Sequence, residues 1–132
     1  MGSLFQIAWK VKEYCTDNNV DVLIGQGDFF FMVTGLAKIL GNKAKSVAVV
    51  HTSLEMRPTI VQKVLLFFLR KHDHIVLISQ DELHTFAEKY KFQLHYLSLI
   101  YNAIELDSFA HMYAMSDKPS IIDSKIYNFI NI

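Results

Sequence analysis

Six histidines, one cysteine and a full complement of carboxylates are the groups in this 132-residue chain that could move a proton, hold a metal or act as a nucleophile. The histidines, His51, His72, His74, His84, His95 and His111, are dispersed. His72 and His74 are near enough in sequence to share a metal, but no cysteine or clustered carboxylate completes a ligand set, so no metal site is expected. Cys15 falls on the inner face of what reads as a helix, which predicts a buried, unreactive thiol in a reducing compartment. No Gly-x-Ser-x-Gly, phosphate loop or His-Glu-x-x-His occurs. Gly25-Gln26-Gly27 resembles the opening of a dinucleotide fingerprint, yet Phe30 stands where the third glycine belongs. What recurs is a placement: polar groups directly after apolar runs. Gln26 and Asp28 follow the first run, His51, Thr52 and Ser53 the second, Ser79 the third, and Asn102 the fourth. Asp28 and Ser79 are explained by helix capping alone. His51 and Asn102 begin no obvious helix and are the stronger candidates for a ligand.

The elements that must position them follow from periodicity. Leu4, Ile7, Ala8, Val11, Tyr14 and Cys15 recur at helical steps, which predicts an amphipathic helix over 3–18. Residues 20–25, 46–51, 75–78 and 97–100 are short, β-branched or aliphatic runs bounded by turns, the pattern of strands buried on both faces. Between them lie helices expected over 28–40, with Asp28 at its start and Gly41-Asn42 as its stop, and over 58–71, with Pro58 in the first turn. A third is opened by the capping box Ser79-Gln80-Asp81-Glu82. Strands joined by helical segments of this length cannot form hairpins, so parallel right-handed crossovers are expected. The predicted fold class is α/β, a parallel sheet of about four strands with helices on both faces. In such sheets ligands bind beyond the carboxyl ends of the strands, where the polar groups above all fall.

Composition sets outer bounds. Basic and acidic residues are equal in number and the pI is near 7.0, which excludes a basic nucleic-acid grip or an acidic tail. A hydrophobic share of 52% is ample for a core. Gln6, Lys10 and Lys12 interrupt the opening, so no signal peptide is read there. The apolar run 64–69 is far short of the roughly 18 residues that a spanning helix requires. The cytoplasm is the default location. The helix over 59–71 is bracketed by Arg57, Lys63, Arg70 and Lys71, so it would suit either burial or docking on an anionic membrane surface. Residues 110–126 read as a linker. Residues 127–132 read as a final strand, an odd ending that suggests a chain cut from something longer.

The succession VDVLIGQGDFF, KSVAVVHTS, HDHIVLISQDELHTF and LSLIYNAIELDSF resembles the acceptor half of the retaining glycosyltransferases of family 4, which have the two-domain GT-B fold. His51 matches the family's strand-end histidine, Ser79 its serine, and Asn102, Ile104 and Phe109 its last motif, with Ala103 in place of glycine and Glu105 in place of aspartate. The resemblance implies that 1–109 is part of an amino-terminal, Rossmann-like acceptor domain and that 127–132 begins a donor domain. It implies transfer of a sugar from a nucleotide sugar to an acceptor hydroxyl, in cell-envelope or surface-glycan synthesis. The donor would be a substrate and no cofactor is called for. His51 would be catalytic, beside the reacting sugar. Gln26, Asp28, Thr52, Ser53, Ser79 and Asn102 would be substrate-binding, with Asn102 at the hinge between domains. The expected partners are the nucleotide sugar and a glycan or lipid-linked acceptor, reached through the donor domain, with no nucleic acid. Peripheral contact at the inner face of the membrane through 59–71, and self-association, complete the expectation. The chain alone is expected to be inactive. Two other readings stand beside this one: a non-catalytic α/β interaction module, and a flavodoxin-like small-ligand binder.

Overall fold

A computed structural model describes residues 3–101; Asn102, the linker expected over 110–126 and the strand expected over 127–132 lie outside the described residues. The chain opens with helix α1 (Leu4–Asp17), whose start is a reciprocal cap: Ser3 Oγ accepts from the Gln6 amide and Gln6 Oε1 accepts from the Ser3 amide. Strand β1 (Val22–Gln26) leads to α2 (Asp28–Ile39), and β2 (Lys45–Val50) leads through a short 3₁₀ turn (Leu54–Met56) to α3 (Thr59–Leu69). Strand β3 (His74–Leu77) leads to the short helix α4 (Gln80–His84), which widens into one π-helical stretch over Thr85–Lys89. A second 3₁₀ turn (Leu94–Tyr96) precedes β4 (Leu97–Leu99).

The expected parallel sheet is present, in the order β1-β2-β3-β4 with every neighbouring pair parallel. Among the described residues its helices lie on one face. Ala48, Val50, Ile75, Leu77 and Leu97 form one core with Phe31 of α2, Leu65 and Leu69 of α3, and Phe86 and Tyr90 beyond α4, so all three crossovers pack on the same side. Helix α1 extends that layer, with Ala8 buried against Val33 and Ala37 of α2. The reason is topological. A sheet that steps in one direction through right-handed crossovers puts each connecting helix on one face, and a second helical layer requires the strand order to reverse. The opposite face carries Val22, Ile24, Val47, Val49, His74, Val76 and Ser98, none of them fully buried, and no described helix covers it.

Two positions show how closely the helix layer sits. A Cβ on Gly25 would come within 2.4 Å of Thr34 Oγ1 and 2.8 Å of Phe31 Cα, so glycine is what allows α2 to lie on β1. At the amino end of the sheet, buried His72 bridges the layers: its Nε2–H donates to the Phe31 carbonyl at 2.9 Å, leaving Nδ1 to accept from Ser46 Oγ at 2.6 Å. Next to it Asp73 accepts from the Ser46 amide at 2.8 Å and pairs with Lys38 at 2.9 Å and Lys45 at 3.4 Å.

Candidate functional site

Because the strands are parallel and in near register, their carboxyl ends share one edge. Gln26 lies beside Val49, Val50 beside Leu77, and Leu77 beside Leu99. The loops that leave this edge therefore bring Gln26, Asp28, His51, Thr52, Ser53 and Ser79 to a common rim. The seventh position of the amino-acid pattern, Asn102, falls outside the described residues. Hydrogen bonds tie the rim together: the Gly27 amide donates to the Val49 carbonyl at 3.1 Å, and the Ile100 amide to the Leu77 carbonyl at 2.9 Å.

Several of these polar groups are committed to local structure. Ser79 Oγ accepts from the Glu82 amide at 3.2 Å as the N-cap of α4, and Ser53 Oγ accepts from the Glu55 amide at 3.4 Å ahead of the 3₁₀ turn. Asp28 is not the cap expected of it. Gly27, with φ of +79°, takes the N-cap position without a side-chain hydrogen bond, and Asp28 becomes the first helical residue. Its carboxylate instead pairs with Arg57 Nη2 at 2.9 Å, linking the loop after β1 to the loop after β2. Gln26 is exposed, and Thr52 is half-buried.

His51 differs from its neighbours. It steps off β2 directly after Val50, and its Nε2 is buried with no hydrogen-bond partner among the described residues. Two further rim groups share that condition, Arg57 Nε and Glu82 Oε2. Neither stood among the residues expected at the site. Arg57 reads in the sequence as one of the cations flanking α3, and Glu82 as the returning half of a capping box. Their one available signal is position, since each follows a strand end within a few residues. Burial pushes the Glu82 carboxyl above the usual carboxylate range, against the opposing pull of the Ile78 backbone N–H and the His51 charge. The rim thus presents an imidazole, a guanidinium and a partly desolvated carboxyl group, each with hydrogen-bonding capacity to spare.

Among the described residues no three His, Cys, Asp or Glu side chains gather as metal ligands would. His72 is held inside the core as described, and His74 Nε2 bonds Ser98 Oγ at 2.8 Å. No described helix is long and apolar enough to cross a membrane.

The family model described as Glycosyltransferase Family 4 matches residues 2–108. The chain belongs to glycosyltransferase family 4. The match spans all four strands and the whole rim, so this α/β unit is a glycosyltransferase family 4 domain. A search of curated proteins finds no match. Within the family assignment, His51 and Ser79 occupy the strand-end positions on which the resemblance rests, one with a free ring nitrogen and the other spent on a cap.

Proposed function

We propose that this family 4 domain works in the transfer of a sugar from a nucleotide-sugar donor to an acceptor hydroxyl, in the synthesis of a cell-envelope or surface glycan. In this reading the chain supplies the acceptor-side wall of the cleft, and a second, nucleotide-binding half holds the donor. The nucleotide sugar is consumed as a substrate, and neither a metal nor an organic cofactor takes part. The observation that carries the proposal is His51: in a family 4 domain, a buried, unpartnered imidazole nitrogen stands at the carboxyl edge of a parallel sheet. There it can donate a hydrogen bond to the reacting sugar and to charge that develops as the glycosidic bond to the diphosphate breaks, an effect strongest once the cleft closes and water leaves. Gln26, Asp28, Thr52, Ser53 and Ser79 frame the same cleft. The Asp28–Arg57 pair fixes two of its loops relative to each other.

Contact with an anionic lipid surface belongs to the same proposal, and α3 supports it. Ile60 is 79% exposed and Phe67 52%, with Val61 and Val64 also exposed. The helix contains no acidic residue, and Lys63, Arg70 and Lys71 flank its apolar stripe. A surface of this kind on the acceptor half would hold the domain at the inner face of the membrane, where a lipid-linked acceptor presents its hydroxyl. The test of the reaction is a transfer assay on a polypeptide that joins this chain to a nucleotide-sugar-binding half, with the anomeric configuration of the product read by NMR. Sugar transfer with retention is expected. Neither transfer nor donor hydrolysis across uridine, guanosine and adenosine diphosphate sugars would overturn the reading.

A further inference from the structure

Opposite the rim, at the amino end of the sheet, the segments that enter β3 and β4 border a cavity of about 440 Å³. Arg70, His72, Asp73, Lys91, Gln93 and Tyr96 are among the residues that line it. His72 and Asp73 are already satisfied. The ring nitrogens of His72 are taken by Ser46 and Phe31. The carboxylate of Asp73 is taken at Oδ2 by the Ser46 amide and Lys38, and at Oδ1 by Lys45. The two cations on the cavity differ from them, since neither Arg70 nor Lys91 forms an ion pair among the described residues.

Arg70 is nonetheless braced. Its Nη2–H donates to the Tyr90 carbonyl at 2.8 Å, and the guanidinium lies 4.7 Å from the centre of the Phe92 ring. That contact spends one donor of the planar fork and fixes the direction of the rest. Lys91 stands between those two partners at a left-handed backbone position, with φ of +58°. On either side of it the Tyr90 amide closes on the Thr85 carbonyl at 3.1 Å and the Phe92 amide on the Phe86 carbonyl at 2.9 Å. Glycine ordinarily holds such a place at the end of a helix, and a side chain there strains the backbone. Strain of this kind collects where a side chain has a use, and here the strained residue adds a second cation to the cavity of the braced one. We propose that this cavity binds a phosphate group, with the Arg70 fork and the Lys91 ammonium donating to its oxygens and the Gln93 amide and Tyr96 hydroxyl meeting the molecule that carries it. The site lies at the end of the sheet away from His51, so it stands independently of the sugar-transfer reading. Arg70 also borders the apolar stripe of α3, so the phosphate can arrive on a soluble monoester or on a lipid headgroup.

The experiment is an NMR titration of the isotope-labelled chain with inorganic phosphate, against sodium chloride of the same ionic strength, following the Arg70 Nε–H and the Lys91 backbone amide. Both should shift together and saturate, with a dissociation constant of about a millimolar or below, and the affinity should fall as salt rises. Lys91→Gly is the informative variant. Its melting temperature should equal or exceed that of wild type, because glycine suits the left-handed backbone, while phosphate should bind about tenfold more weakly for want of a charged donor. Arg70→Lys, which keeps the charge and loses the fork, should weaken binding by a similar factor. Glucose 6-phosphate and dihexanoyl phosphatidic acid, titrated in parallel, distinguish the sources: whichever binds more tightly than inorganic phosphate is the form the cavity takes, and if neither does, it takes the free ion. No saturable shift at either reporter, or wild-type affinity in both variants, would overturn the proposal.

Discussion

His72 and Asp73 hold the amino end of the sheet by opposite electrostatics, and each sets a limit in pH. Burial drives the His72 pKa below its usual 6.5, with the Phe31 carbonyl and Asp73 pulling weakly the other way. The unfolded chain therefore takes up a proton that the folded one resists. Stability is fully present above about pH 6.5 and is lost as pH falls through the lowered folded value. Asp73 is also pushed up by burial, but the Ser46 amide and the Lys38 and Lys45 cations outweigh that and bring it to about 2. Its contribution is present above 3.8 and disappears only as pH falls through about 2. Urea midpoints should accordingly decline between neutral pH and about pH 5, the range of histidine titration, and a flat profile there would contradict the buried neutral imidazole. Gly25→Ala should destabilise by about 1–3 kcal/mol, since the new methyl meets the α2 backbone at Phe31 and the Thr34 hydroxyl; a melting temperature equal to wild type would contradict that packing. At this scale the strand-end residues were legible, because His51 and Ser79 stand next to recognisable apolar runs. His72 was not. Its partners Ser46 and Phe31 lie 26 and 41 positions away, and no local pattern separates a core-bridging histidine from a dispersed one.

Elements were read well where a short-range signal exists. The four strands match within a residue or two, because a strand buried among crossovers is an uninterrupted β-branched run. Gly41, with φ of +93°, ends the α2 segment as its type predicts. The start of α2 was misread because Gly27 and Asp28 both suit a cap, and the choice depends on Arg57 from another loop. Ser79→Ala should cost about 1 kcal/mol through the lost cap of α4, measurable by chemical denaturation; no loss would mean that the cap is idle. Helix α3 presented two alternatives in sequence, burial or surface docking; Leu65 and Leu69 are buried against the sheet, and the exposed Ile60, Val64 and Phe67 leave the other face for the docking proposed above. The chain should co-sediment with phosphatidylglycerol vesicles, less with phosphatidylcholine, and less as salt rises. The double variant Ile60→Glu, Phe67→Glu should abolish that binding. Retention of the variant on vesicles would assign the contact to another surface.

For the molecule as a whole, the direction of winding decides what remains open. Among the described residues, four strands in serial order leave β1 paired on one side only and one face without helical cover, with Val22 52% and Ile24 61% exposed. Strand order is a long-range property that apolar patterning does not encode, and the serial order is what puts the described helices on one face. Parallel sheets are stable when both faces are covered, so the chain by itself should associate through this face. Light scattering should report a mass above 15.2 kDa that falls toward it on dilution and in Ile24→Lys; a monomer at every concentration would contradict this. The shared carboxyl edge, by contrast, was legible from the strand–helix alternation alone, since parallel crossovers bring every strand end to one side. The claim on which the rest depends is that this edge is where sugar transfer occurs and that His51 acts there. The most direct measurement is kcat/KM for transfer by His51→Ala in the joined two-half enzyme, alongside its melting temperature. A fall of about 100-fold or more with an unchanged melting temperature is expected for a lost hydrogen bond to developing charge, and transfer at the wild-type rate would contradict it.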